Sequence, residues 1–104
     1  MNKKKQTLKE TFVEALQNYK KKDFINAEYI CHKILGIDPN HVHSISLLAT
    51  ISALNRNYVK AKELLIKAVE IEPNNTSINH NLGTACKELG NLKEAMSYYR
   101  KVLQ

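Results

Sequence analysis

The chain matches itself when shifted by 34 residues, and this period limits its fold more than any other property of the sequence. The shift brings Ala27 onto Ala61 and Ala95, Pro39 onto Pro73, and Asn40 onto Asn74. It also stacks Phe24 on Tyr58 and Leu92, Ile34 on Ala68 and Val102, Leu35 on Val69 and Leu103, Ile37 on Ile71, and Ala15 on Ala49 and Gly83. Three repeats follow, 8–41, 42–75 and 76–104, behind a basic lead over residues 1–7. A unit this short cannot bury a core alone, so the repeats must stack on one another.

Within a repeat the apolar residues recur at steps of three and four, as in Tyr58, Ala61, Leu64, Leu65, Ala68 and Val69, which is helical and not strand spacing. Each repeat divides into two helices at Lys21-Lys22-Asp23, Asn55-Arg56-Asn57 and Leu89-Gly90-Asn91, where Asp, Asn and Gly supply capping oxygens or left-handed backbone. Repeats are separated at Asp38-Pro39-Asn40-His41 and Glu72-Pro73-Asn74-Asn75, because proline forces the residue before it out of helical geometry. The pattern predicts six antiparallel helices over 5–21, 24–36, 41–54, 58–71, 75–89 and 92–103. Small residues at Ala15, Ala49, Gly83 and at Ala27, Ala61, Ala95 allow the two axes of each pair to approach. Phe24, Tyr58 and Leu92 then fill the space at the inter-helix turn, and Leu35, Val69 and Leu103 form the seam with the following pair.

Asn81-Leu82-Gly83, then Leu89-Gly90-Asn91-Leu92-Lys93-Glu94-Ala95 and Tyr99, together with the step from Pro39 to Pro73, resemble the tetratricopeptide repeat (TPR) over residues 8–104. The resemblance implies an all-α, right-handed solenoid of three helix-turn-helix repeats. The stretch from Ala27 through Ile34-Leu35-Gly36-Ile37-Asp38-Pro39-Asn40-His41 to Leu48-Ala49 is also similar to the amino-terminal repeats of bacterial proteins in which such repeats precede a glycosyltransferase-like or sulfotransferase-like domain.

The two ends depart from the pattern. Where later repeats place Ile45, Leu48 and Ser52, or Asn79, Leu82 and Cys86, the first helix has the polar Thr11, Glu14 and Asn18. Its apolar stripe is Phe12, Ala15, Leu16 and Tyr19, moved round by one residue, as an amino-terminal cap requires. At the other end no polar helix follows the third repeat, and Met96, Tyr99, Val102 and Leu103 are expected to leave an apolar strip for a partner, a second copy or further repeats.

The resemblance implies that function resides on the concave surface lined by the first helix of each pair. The residues at matching positions are His43, Ser46, Thr50, Ser77, His80, Asn81, Thr84 and Lys87, small or hydrogen-bonding side chains suited to an extended peptide. The clamp by which related domains grip acidic chaperone tails would fall on Phe12, Leu16, Leu47, Ser77 and Asn81, of which only Asn81 could serve. The asparagine ladder of the glycosyltransferase relatives would fall on Val13, Leu47 and Asn81, and again only Asn81 matches.

Enzyme classes find little support. His41 and His43 are expected to point apart at a helix start with no carboxylate or thiol beside them, so no metal is expected. Cys31 and His32 are adjacent and cannot face one another as nucleophile and base on a helix. Cys31 and Cys86 occupy packed columns and read as reduced core thiols, and no phosphate loop or triad ordering is present. No cofactor is expected.

Charge leaves nucleic acid as a weaker alternative. Of the net charge of +6, residues 1–22 carry +5, leaving a nearly neutral body. Lys3-Lys4-Lys5 and Lys20-Lys21-Lys22 bracket the first helix without interleaved stacking aromatics. No apolar run approaches the roughly 20 residues of a membrane span. The sequence thus predicts a non-catalytic, cytoplasmic module that binds protein or peptide, with a docking segment of or for a glycosyltransferase-like or sulfotransferase-like enzyme as the alternative.

Overall fold

The computed structural model describes residues 6–104 as six helices: α1 (Leu8–Lys20), α2 (Phe24–Ile37), α3 (Val42–Leu54), α4 (Tyr58–Ile71), α5 (Thr76–Glu88) and α6 (Leu92–Val102). Lys3-Lys4-Lys5 and the expected start of the first helix at residue 5 lie outside the described residues. Helix α1 begins at Leu8, and the cause is readable in Thr7-Leu8-Lys9-Glu10. Thr7 Oγ1 accepts from the Glu10 backbone N–H at 3.1 Å, while Glu10 Oε1 accepts from the Thr7 N–H at 3.3 Å. This reciprocal capping box satisfies two otherwise unpaired donors and fixes the helix start.

Helices pair in order, α1 with α2, α3 with α4 and α5 with α6, and consecutive pairs meet through α2 on α3 and α4 on α5. The stack measures 57 × 26 × 20 Å, an elongated body as quasi-one-dimensional packing requires.

One device closes all three pairs. Lys22, Arg56 and Gly90, spaced by the repeat period, have positive φ of 65°, 59° and 81°. The left-handed residue lets the next N–H reach back five residues, giving Asp23 to Asn18, Asn57 to Ser52 and Asn91 to Cys86 bonds of 2.8 Å each. Asp23 and Asn57 then cap the following helix, their side chains accepting from Asn26 N–H and Lys60 N–H at 3.2 Å. Only the third repeat places Gly at the strained position. Arg56→Gly is therefore expected to raise stability by about 0.5–1 kcal/mol, the Cβ strain relieved being partly offset by the freer unfolded chain. Urea denaturation would measure it, and a loss of stability would show that Arg56 contributes packing that outweighs the strain.

Between pairs, Asp38 and Glu72 are extended, at φ −129° and −128°, as the prolines that follow them demand. Buried Asn79 holds the second of these turns, its Nδ2 donating to Pro73 O at 2.9 Å and Asn75 O at 3.0 Å. It occupies the column where the second repeat buries Ile45, so an amide that looked like a packing residue serves as a strut.

The core forms two clusters. One lies between the first and second repeats around Ala15, Ala27, Cys31, Leu48 and Ile51; the other lies between the second and third around Ile45, Leu65, Ala68, Ile78 and Leu82. Phe12, Leu16 and Tyr19 border the first cluster, as the rotated stripe predicts. Ala27, Ala61 and Ala95 are all buried. The other small column trades volume against its neighbour sixteen residues on: Ala15 stands with Cys31, Ala49 with Leu65, and Gly83 with Tyr99. The largest side chain thus meets the smallest, and the Tyr99 ring packs directly on the Gly83 backbone. Two expectations for the third repeat fail. Leu92 does not fill its turn but is 62% exposed, and Tyr99 is not part of a free strip but packs inward. The turn at Leu92 is held instead by polar contacts, in which Lys62 Nζ of α4 reaches Asn91 Oδ1 at 3.2 Å and Glu94 Oε2 at 3.1 Å.

Candidate functional site: a concave cavity between the second and third repeats

Helix geometry brings Thr50, Ala53 and Leu54 of α3 and Asn81, Thr84 and Ala85 of α5 to one surface, at steps of three and four residues. Between them lies an apolar cavity of about 280 Å³, with Tyr58, Ala61 and Leu65 of α4 behind it. Its origin is a single column of the repeat. At the corresponding place in the first pair, Tyr19 packs its ring against Phe24 at 5.6 Å and fills the space. In the second pair Ala53 replaces that tyrosine, and the space over Tyr58 stays open.

The polar groups at the rim differ in availability. Thr50 Oγ1 donates to Ser46 O at 3.0 Å and Thr84 Oγ1 contacts both His80 O at 3.2 Å and Tyr99 OH at 3.0 Å, so both hydroxyls are engaged within the fold. The Asn81 carboxamide is exposed and has no hydrogen-bond partner among the described residues. It offers both donors and an acceptor to a ligand backbone beside an apolar hole.

Of the eight groove residues predicted from sequence, Thr50, Asn81 and Thr84 line this cavity. The structure does not bring the others to it. Exposed His43 packs against Phe12 at 5.7 Å, exposed His80 lies 5.8 Å from Tyr99, half-buried Ser46 serves through its carbonyl, and Ser77 and Lys87 are exposed at opposite ends of α5. Sequence reasoning missed Ala53, Leu54 and the cavity role of Tyr58. The signal was present in the Tyr19–Ala53–Lys87 column, where the one small residue marks the open place.

His41 and His43 do not diverge as expected. Their rings lie 6.0 Å apart, and both face Phe12, His41 at 5.5 Å. The reason is that His41 caps α3: its Nδ1 accepts from the Ser44 N–H at 3.2 Å, which turns the ring back along the helix. Among the described residues no group of three His, Cys, Asp or Glu side chains converges as metal ligands. Burial pushes the Cys31 thiol up to about 11, opposed by its hydrogen bond with Ser44, and burial likewise raises Cys86, opposed by the Lys62 charge. Both stay protonated and inert near neutrality. At α6, Met96 and Leu103 are exposed as predicted for a strip, while Val102 is half-buried and Tyr99 belongs to the cavity's support.

The fold and groove define a tetratricopeptide-repeat protein. The chain belongs to the family described as anaphase-promoting complex, cyclosome, subunit 3, of tetratricopeptide-repeat type, whose model matches residues 20–102. Among curated relatives it is 27% identical over 90 residues to a UDP-N-acetylglucosamine–peptide N-acetylglucosaminyltransferase of Caenorhabditis elegans, covering 86% of this chain and 8% of that one. The chain therefore spans under a tenth of the length of this relative. Among solved structures it resembles MamA (TM-score 0.85, 18% identity, 93% of this chain and 57% of the other). It also resembles the first TPR domain of Spaghetti (RPAP3) bound to the HSP90 peptide SRMEEVD (TM-score 0.87, 20% identity, 96% and 79%). The second TPR domain of that protein, bound to the same peptide, gives 0.87 at 18% identity, over 94% and 91%. At these identities the structural likeness establishes the fold. Among the described residues no helix is long and apolar enough to cross a membrane.

Proposed function

We propose that the chain is a non-catalytic interaction module that holds an extended segment of a protein partner in its concave groove, seating one apolar side chain in the cavity between the second and third repeats. The observation that carries this reading is the unpartnered Asn81 carboxamide at the rim of an apolar hole. A peptide backbone bonded to that amide would place its next side chain over Ala53 and Ala85, where burial supplies affinity and the amide supplies register. The peptide-bound state of the RPAP3 domains supports the groove as the surface to test. The acidic tail they hold is a poor match here, because Leu47 at one clamp position is buried and Phe12 at another packs on two histidines.

The test is a selection from a random linear-peptide library against the wild type, followed by titration of enriched peptides into two variants. Ala53→Tyr, which restores the ring of the first repeat, is expected to abolish binding, and Asn81→Ala to weaken it about tenfold, the worth of roughly one to two backbone hydrogen bonds. Peptides that bind both variants as well as the wild type would place the site elsewhere.

The likeness to an N-acetylglucosaminyltransferase favours a second reading, in which the repeats dock substrate proteins for an enzyme of glycosyltransferase-like or sulfotransferase-like class. Val13 and Leu47 stand where that ladder of asparagines would be, so presentation would rest on Asn81 and the cavity.

A further inference from the structure

The junction of the first two repeats and the junction of the last two are built on the same columns, but the space left open in the later one is filled in the earlier. Shifted back by one period, the cavity floor of Ala49, Ala61, Leu65 and Tyr58 becomes Ala15, Ala27, Cys31 and Phe24. Alanine recurs in the first two columns and an aromatic ring in the last, so the floors are alike. The difference lies above them. Leu16, Tyr19 and Ile51 of the earlier junction correspond to Thr50, Ala53 and Ala85 of the later one, and the largest single loss is the phenol ring between Tyr19 and Ala53.

Exposure records the consequence. Leu47 and Asn81 share a column, yet Leu47 is 6% exposed while Asn81 is open to solvent. Leu47 belongs to the cluster that Leu16, Tyr19 and Phe24 border, whereas Asn81 borders the cavity.

The earlier junction thus displays what such a floor receives. There the Tyr19 ring lies on Phe24 with centroids 5.6 Å apart and planes inclined at 54°, within the range where aromatic pairs gain affinity beyond their buried area. In the later junction Ala53 offers Tyr58 only a methyl group, and among the described residues no aromatic ring packs on Tyr58. An aliphatic side chain would fill the volume and leave that gain unrealised. We infer that the side chain seated in the cavity is aromatic, a Phe or Tyr of the partner's extended segment, with its ring against Tyr58 as Tyr19 lies against Phe24. The inference rests on the groove reading above and deepens it by naming the anchor. It makes Ala53 the residue that admits the anchor and Tyr58 the residue that selects it.

The first probe is p-cresol, the tyrosine side chain without its backbone, compared with 4-methylcyclohexanol, which has the same skeleton without the aromatic electrons. In NMR titrations p-cresol is expected to shift the signals of Ala53, Tyr58 and Ala85 at concentrations on the order of millimolar, as suits so small a ligand. It is expected to bind about two- to tenfold more tightly than the saturated analogue, the worth of one aromatic pair. Ala53→Tyr should abolish the shifts. Tyr58→Leu, which copies Leu92 of the same column, should bring the two ligands to equal affinity, with circular dichroism to verify that both variants remain folded.

Peptides selected on the wild type and lost in Ala53→Tyr are expected to carry Phe or Tyr, and to weaken about two- to tenfold when cyclohexylalanine replaces it. The inference fails, with the groove reading intact, if such peptides carry aliphatic anchors or tolerate that replacement. It also fails if p-cresol binds no more tightly than its analogue in the wild type, a comparison that needs no variant to fold. Peptides that bind Ala53→Tyr as well as the wild type would overturn the groove reading itself. A dimer in light scattering that Ala53→Tyr dissolves would make a second copy the occupant and overturn the assignment to a partner.

Discussion

Leu82→Ala is expected to lower stability by about 2–5 kcal/mol, against a total of about 5–15 kcal/mol for a domain of this size. Leu82 is fully buried at the centre of the cluster that joins the second and third repeats, where α5 packs on both α4 and α6. Truncation leaves a cavity between helices already held apart only by small residues, so neighbouring side chains have little room to close it. The effect should be local. The first cluster shares only the bordering Leu35 and Leu64 with the second, and a solenoid transmits stability mainly between adjacent repeats. Native-state hydrogen exchange should show amides of α5 and α6 losing protection by on the order of a hundredfold while α1 and α2 retain more of theirs. Equal loss throughout would mean that the two clusters unfold as one unit.

The architecture could be read from the sequence because every level of it repeats. Period, capping residues and prolines each mark the same boundaries, and the helices fall within a few residues of their predicted limits. The departures come from positions where the residue type does not announce the conformation or contact it adopts. Thr7 and Glu10 form a capping box whose spacing was visible, yet a run of lysines before it also suits a helix. Lys22 and Arg56 take left-handed backbone although neither residue type favours it, because the loop must close five residues back; only Gly90 announced the conformation. Asn79 sits in an apolar column, and nothing local says that its amide will turn to the Pro73 carbonyl.

The candidate site was less readable, for a physical reason. Column positions identify which residues face the groove, but a cavity is a place where something is missing, and it depends on neighbours from three helices. Thr50, Asn81 and Thr84 follow from helix phase; the hole between them follows from Ala53 being small where Tyr19 is large. The opposite case is Tyr99, expected to be free on α6 but drawn inward because Gly83 leaves room for its ring.

That last pairing supplies a sharper test of how the third repeat is built. By helix propensity alone Gly83→Ala should stabilise α5 by about 1 kcal/mol. A Cβ at this position would lie 2.7 Å from Tyr99 Cε1 and 2.8 Å from Cδ1, closer than carbon atoms can approach. The ring cannot move freely, since its hydroxyl is bonded to Thr84 and its face lies against His80. Overpacking of this kind costs about 1–3 kcal/mol, so the variant is expected to be less stable than the wild type despite the better helix former. Tyr99→Leu on its own should also destabilise, by leaving a gap over the glycine. Combined, the two substitutions recreate the Ala49 and Leu65 pairing that the second repeat already packs, and the double variant is expected to recover about 2 kcal/mol relative to the sum of the single effects. Urea denaturation of the four proteins measures that coupling. Additive effects would mean that the ring swings into solvent and that the volume trade between columns has no energetic content. The double variant also separates stability from recognition: it loses the Tyr99 bond to the Thr84 hydroxyl while keeping Asn81 and the cavity, so peptide binding that persists in it would assign affinity to the amide and the hole and not to the hydroxyl rim.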